Sequence, residues 1–371
     1  MNKKIAIFCP RVGVISETFI KRHTELLSGR MVVVADSAVE GGWSPDCPIL
    51  FLSNDNTSLI VKFIVKKFKL PFNYDDWRIK RFLRKNSVGY ALGEYLEYAC
   101  KWVNVLNKMK IPYYVHSYGY DISENLRNEK WIRAYKILNN TEGVINEGTF
   151  VEPRLIKLGI EKSKIHFITT CPEVPPTFQS RSNNAIVRLI ASGRMVGKKS
   201  PILTLASYMK ALETVPNMHL DYIGGGEMLG AAIDFVRAFN LQEKVTFHGA
   251  QPNNVVVDFM NKADIFICHN VVDVVSGDEE GLPVTFLEAM GAGVPVISTY
   301  HAGIPDCITD GENGLLVQEG DVKGMAENIV KLASDYHFRQ NMAKKAWERT
   351  LNEFSWVVER QKLLELMKVE I

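Results

Sequence analysis

Two pairs of charged side chains in the second half of the chain have the types and spacing to bind a phosphorylated, hydroxyl-rich ligand. In "SGRMVGKKSP" the guanidinium of Arg194 and the ammonium of Lys199 stand five residues apart, between an apolar run and a helix-opening Ser200-Pro201. A polar residue followed by proline reads as an N-cap and first helical position, so both cations lie beside a helix N-terminus, where anions are favoured. Such a pair in isolation is more often a solvated basic loop. In "GDEEGLPVTFLEAMGAGVPV" Glu280 and Glu288 flank a second helix opening, with Pro283 expected at the first helical position and the N–H groups of Leu282 to Phe286 expected to be free for an anion. Glu288 then sits about 7.5 Å further along the helix. A carboxylate beside a phosphate is repulsive unless it accepts hydrogen bonds from hydroxyls of the same ligand. Taken singly, either glutamate is more often a surface charge or a cap; together the four residues describe a diphosphate with a sugar on each side, as in a nucleotide diphosphate sugar.

The elements that must hold these residues alternate between apolar strand-like runs and helical patterns. KKIAIFC, MVVVAD, IPYYVHS, AYKILNNTEGVIN and KIHFITT carry this rhythm in the first half, and VRLIASG, HLDYIGGG, VTFHGA, DIFICH, VPVIST and GLLV carry it in the second. Such βα alternation builds parallel sheets, and ligands bind at the carboxyl edge of those sheets. A Pro- and Ser/Asn-containing stretch from Cys171 to Asn184 reads as a linker. The expected organisation is α/β with two doubly wound, Rossmann-like domains over residues 1–173 and 174–354, followed by a helix in 355–371 that packs back on the first.

Length and composition fit two ordinary cores: 371 residues, 46% hydrophobic. Residues 1–173 hold 26 basic and 18 acidic side chains against 18 and 24 in the remainder, so the first half suits an anionic partner or membrane surface. No window reaches the roughly 18 apolar residues of a membrane span, and the opening apolar run is too short for a signal peptide. The six cysteines lack metal-type spacing. A reduced, cytoplasmic protein is expected, with no metal and no cofactor. The glycines of "IGGGEMLG" invite a dinucleotide reading, but GxGxxxG has one residue too many and lies deep in the second half; a tight turn after a strand is the better reading.

From about Val187 to Val317 the chain resembles the retaining family 4 glycosyltransferases of GT-B fold, through "SGRMVGKKSP", "YIGGGEM", "VTFHGA", "GDEEGLPVTFLEAM", "GAGVPVIST", "HAGIPDCI" and "DGENGLLV". The resemblance implies two Rossmann-like domains facing a central cleft. It implies that Arg194 and Lys199 hold the donor diphosphate, that Glu280 contacts the donor sugar and that Glu288 contacts the ribose hydroxyls. Gly281, Leu282, Pro283, Val284 and Thr285 complete the donor-binding candidates. The implied donor is a UDP- or GDP-linked sugar and the implied acceptor a glycan or lipid-linked sugar in bacterial surface polysaccharide assembly. The alternatives are a GT-B sugar-nucleotide epimerase, a dinucleotide-dependent oxidoreductase and a non-catalytic donor-binding module.

The first half carries the resemblance more thinly, in "SETFI" (Ser16 to Ile20) and "YGYD" (Tyr118 to Asp121). Gly13, Ser16, His116, Tyr118 and Asp121 are the cleft or acceptor candidates. Where many relatives have His-Gly, this sequence has Tyr118-Gly119, with His116 two residues earlier; His116 also reads as a core histidine at a strand end. Val61 to Asn86 interleaves nine basic residues with Phe63, Phe68, Phe72, Trp77 and Phe82. That mixture suits an anionic membrane interface and equally a pair of solvated helices with aromatic core faces.

Overall fold

The computed structural model describes residues 3–14, 17–53, 61, 63, 67, 68 and 73–369. The chain divides into two compact units, one of Met1–Asn146, Val151–Ile168 and Leu363–Ile371, the other of Glu147–Phe150 and Thr169–Lys362.

The first unit is built on a parallel sheet of seven strands: β1 (Lys4–Val12), β2 (Met31–Ala38), β3 (Ile49–Phe51), β4 (Val88–Glu94), β5 (Tyr113–His116), β6 (Gly143–Asn146) and β7 (Ile165–Phe167). Their order is β3-β2-β1-β4-β5-β6-β7, so the winding reverses between β1 and β4. Parallel strands are covered on both faces, which is why IAIFC and VVVA read as continuous apolar runs. β4 is different. Its VGYALGE has no such run, because Gly93 makes room for Trp102: a Cβ there would lie 2.2 Å from the indole, which stacks on Phe8 with centroids 4.3 Å apart. The sequence reading therefore passed over β4, and over the short edge strand β3.

The second unit has six parallel strands: β8 (Val187–Ser192), β9 (Met218–Ile223), β10 (Val245–Gly249), β11 (Ile265–Ile267), β12 (Val296–Thr299) and β13 (Gly314–Val317). The order β10-β9-β8-β11-β12-β13 reverses between β8 and β11. Each of the six runs read from sequence forms a strand here. Alternate residues feed two cores: Leu189, Ile265 and Ile297 pack into one, while Ile190, Phe266 and Val296 pack into the other.

The last helix, Trp356–Leu366, begins against the second unit, where the Trp356 N–H donates to the Pro172 carbonyl at 2.8 Å and Glu359 accepts from the Cys171 N–H at 2.7 Å. Its end lies in the first unit, where the Tyr114 hydroxyl donates to the Leu366 carbonyl at 2.7 Å. Among the described residues no helix is long and apolar enough to cross a membrane. Among the described residues the basic and aromatic segment contains the helix Tyr74–Lys85, capped by Asn73, whose side chain accepts from the N–H groups of Asp75 and Asp76. Ile79 and Leu83 are buried while Trp77, Phe63 and Phe68 are exposed; Phe72 lies outside the described residues.

Candidate functional site

The second unit gathers its charged residues at the carboxyl edge of its sheet, on both sides of the reversal point. β8 ends at Ser192, and the next loop carries Arg194, Lys198 and Lys199 into the helix Pro201–Leu212. Pro201 is the first helical residue, as the sequence suggests. Ser200 is the N-cap by position but makes no side-chain cap; its φ of 37° is left-handed, and its carbonyl instead accepts from the Thr204 hydroxyl at 3.2 Å. Thr204 Oγ1 also accepts from the His269 N–H at 3.0 Å, which fastens this helix start to the end of β11.

The glycines of "IGGGEMLG" form the tight turn that makes this possible. Gly224 and Gly226 have φ of +146° and +149°, and a Cβ on them would lie 1.9 Å from the Gly193 carbonyl oxygen and 2.5 Å from that of Met195. Backbone bonds then clamp the two loops together: Met195 N–H to Gly225 carbonyl at 2.9 Å and Met228 N–H to Met195 carbonyl at 3.0 Å. The glycines serve close backbone approach, and that approach fixes the loop bearing Arg194.

Lys199 and Glu280, which the sequence places 81 residues apart, meet at 2.7 Å with both side chains largely buried. Lys198, which sequence reasoning left out, pairs with Asp278 at 2.9 Å and donates to the Glu279 carbonyl at 3.1 Å. Burial pushes the Glu280 carboxyl up, but Lys199 and then Lys198 outweigh it and hold it down at about 2, so it is ionised at neutral pH. His301 is a second residue missed, although it opens the "HAGIPDCI" motif. Its Nε2 accepts from the Glu280 N–H at 3.0 Å, so the ring proton sits on Nδ1 and donates to Glu319 Oε1 at 2.7 Å. Gly303 permits this packing, since its N–H donates to the Gly281 carbonyl at 3.2 Å and a Cβ would come within 2.8 Å of that oxygen. Arg194 is exposed, with no side-chain hydrogen bond or ion pair among the described residues. A fixed, neutralised lysine and an unengaged guanidinium thus lie on one loop.

The helix beyond Glu280 runs from Val284 to Gly291, one residue later than expected. Pro283 is its N-cap, with an extended ψ of 113°. The amide of Phe286 is already used, donating to the Pro283 carbonyl at 2.9 Å, so the anion-binding stretch contracts to the N–H groups of Val284 and Thr285, which have no acceptor among the described residues. Thr285 Oγ1 is likewise buried without a partner. Gly281, Leu282 and Pro283 are buried, Leu282 within the core. Glu288, also buried, accepts from Asn253 Nδ2 at 2.8 Å.

In the first unit, Gly13 follows β1 with φ of +91°, and its carbonyl lies so near Gly42 that a Cβ there would come within 2.1 Å of the oxygen. Ser16 lies outside the described residues. His116 ends β5 fully buried, as the core reading expects, and burial holds its imidazole neutral, with the pKa lowered to about 3. Tyr118 donates its phenol to Glu94 Oε2 at 2.7 Å and stacks on His116 with centroids 4.6 Å apart. Asp121 is fully buried and caps two helix starts, accepting from the N–H groups of Tyr118 at 3.1 Å and Leu96 at 3.0 Å. Burial nonetheless pushes its carboxyl up to about 7. Sequence reasoning missed Glu94 and its partner His23, because β4 itself was unread.

Two doubly wound parallel sheets, the second with a cation-bearing loop at its reversal point, make a two-unit Rossmann-like fold of the GT-B type. Residues 178–349 match the family model described as "Glycosyl transferases group 1", and the chain is a homologue of bacterial exopolysaccharide and lipopolysaccharide glycosyltransferases. It is 24% identical over 314 residues to "Amylovoran biosynthesis glycosyltransferase AmsK" of Erwinia amylovora, covering 84% of this chain and 74% of that protein. It is 26% identical over 183 residues to "Putative colanic acid biosynthesis glycosyltransferase WcaL" of Escherichia coli K12, covering 49% of this chain and 45% of that one. In fold it is similar to HepE of Anabaena, solved with UDP and separately with UDP-glucose; the UDP complex superposes with a TM-score of 0.78 at 14% identity, over 98% of this chain and 99% of that one.

Proposed function

We propose that this protein is a retaining glycosyltransferase that moves a sugar from a nucleotide diphosphate sugar, UDP- or GDP-linked, to a hydroxyl of a glycan or lipid-linked acceptor in bacterial surface polysaccharide assembly. The observation that carries the reading is the Lys199–Glu280 pair at 2.7 Å, on loops at the reversal point of the second sheet and next to a helix start with unpaired N–H groups. That edge is where open α/β sheets bind ligands. The likeness to a protein solved with UDP and UDP-glucose supports a UDP-linked donor.

Charge develops on the diphosphate as the sugar leaves. Arg194, Lys199 and the N–H groups of Val284 and Thr285 supply positive potential at that position without a metal ion, and they act most strongly where the charge is greatest. Glu280, kept ionised by its lysine, accepts from hydroxyls of the donor sugar; Glu288, steadied by Asn253, accepts from the ribose. The acceptor hydroxyl attacks from the side of the leaving group, and its proton passes to the donor phosphate, so configuration is retained without a covalent enzyme intermediate. Gly13, Ser16, His116, Tyr118 and Asp121 belong to the acceptor side, with His116 and Asp121 acting through what they hold in place.

The protein works in the cytoplasm at the inner face of the membrane, with the exposed Trp77 and the basic residues of Tyr74–Lys85 meeting anionic headgroups; indifference to anionic liposomes at low salt would end that part of the proposal. The transfer itself is tested by incubating donor sugars with glycan acceptors and reading the anomeric coupling of the product by NMR. A product with the donor's configuration supports the reading. An inverted product, or donor isomerised without acceptor, refutes it.

A further inference from the structure

At the carboxyl edge of the first sheet three buried side chains from separate elements converge. His23 lies in the helix Thr18–Thr24, Glu94 ends β4 and His116 ends β5, and none has exposed surface. One nitrogen or oxygen of each lies within 4.8 Å of those of the other two. His23 Nδ1 and Glu94 Oε1 are 2.8 Å apart, and Tyr118 donates to the other carboxylate oxygen. His116 is the anomaly: both of its ring nitrogens are buried and, among the described residues, neither makes a hydrogen bond of ordinary geometry, a weak interaction with the Ile168 backbone aside. Buried polar atoms are rarely left so, because the desolvation they suffer is uncompensated. An unpaired neutral imidazole, a second imidazole and a carboxylate are what a borderline divalent cation takes as ligands.

We propose that His23, Glu94 and His116 form a closed site for one divalent cation of the zinc class in the first unit. Neighbouring ligands of a four-coordinate zinc with bonds of about 2.0–2.1 Å stand roughly 3.3 Å apart, so the three side chains close on the ion by small ring and carboxylate rotations. The ion takes the place of the proton between His23 Nδ1 and Glu94 Oε1, and that proton leaves to solvent. Tyr118 keeps its bond to the carboxylate and orients it, as outer partners of metal ligands do. Three protein ligands leave the fourth position of the ion to a water molecule, and full burial keeps that position from substrate, so the ion ties the first helix to the ends of β4 and β5, and the sugar transfer proposed above does not pass through it. The sequence hides the site because its ligands are separated by 71 and 22 residues and one of them lies on the unread strand.

The test uses the untagged full chain, stripped with chelator and titrated with Co2+. One Co2+ per chain is expected, with visible d–d absorption that Zn2+ abolishes, and a melting temperature raised by either ion. The absorption should vanish in His116→Ala and Glu94→Gln and persist in His301→Ala, whose histidine lies in the second unit. A folded, stripped wild-type chain that gives no d–d band overturns the proposal whatever the variants do, and so does a band that survives in both His116→Ala and Glu94→Gln.

Discussion

The proposed site gives Lys199 two roles that a single substitution confounds, and a double substitution separates them. Lys199→Ala leaves Glu280 largely buried without its 2.7 Å partner. The Glu280 carboxyl is held at about 2 against an ordinary 4.5; a shift of that size corresponds to about 3 kcal/mol. Lys198 remains to offset part of it, while breaking a buried pair on one side commonly costs about 3–5 kcal/mol. About 3 kcal/mol is therefore the expected loss, a fall in melting temperature of about 6–12 °C for a unit of this size. Affinity for a nucleoside diphosphate should fall about 10- to 100-fold, the range for a lost charge-assisted hydrogen bond. Adding Glu280→Gln removes the stranded charge, so most of the stability should return while nucleotide affinity stays low, because in the proposed site Glu280 serves the sugar and not the diphosphate. Thermal melts and calorimetric titration of the two single variants and the double variant complete a cycle. If the double variant regains nucleotide affinity together with stability, Lys199 merely neutralises Glu280 and the diphosphate clamp is wrong.

Three further outcomes follow from the same geometry. Arg194→Ala, at an exposed residue without side-chain partners among the described residues, should change stability by no more than about 0.5 kcal/mol yet cut turnover by orders of magnitude, measured as release of nucleoside diphosphate. Gly224→Ala would set a Cβ 1.9 Å from the Gly193 carbonyl; a loss of about 3 kcal/mol and weakened nucleotide binding should appear together in ligand-dependent melts. Because the folded Glu280 pKa is depressed, its contribution to stability is complete above about 4.5 and is lost as pH falls toward 2; denaturation across that window should be shallower in Glu280→Gln than in wild type.

Spacing made the second unit readable. Its strands are apolar runs bounded by glycines, and the positions of Arg194, Lys199, Glu280 and Glu288 follow from which loops succeed which strands. What escaped were contacts between loops. Nothing local tells that Lys198 turns to Asp278 while Lys199 turns to Glu280, or that His301 lends its Nε2 to the Glu280 amide. Pro283 misled by one residue because proline also suits an extended N-cap. In the first unit the failure begins with β4, where Gly89 and Gly93 interrupt the apolar pattern and Gly93 accommodates Trp102. Losing that strand lost Glu94, and with it the reason His23 and Tyr118 point inward.

The most direct measurement is ligand-dependent melting of wild type and Arg194→Ala/Lys199→Ala with UDP, GDP, ADP, TDP and NAD. Stabilisation of wild type by one nucleoside diphosphate, lost in the variant, is the predicted result. Stabilisation by NAD alone, or by the same nucleotide equally in both proteins, would contradict a donor diphosphate held by Arg194 and Lys199.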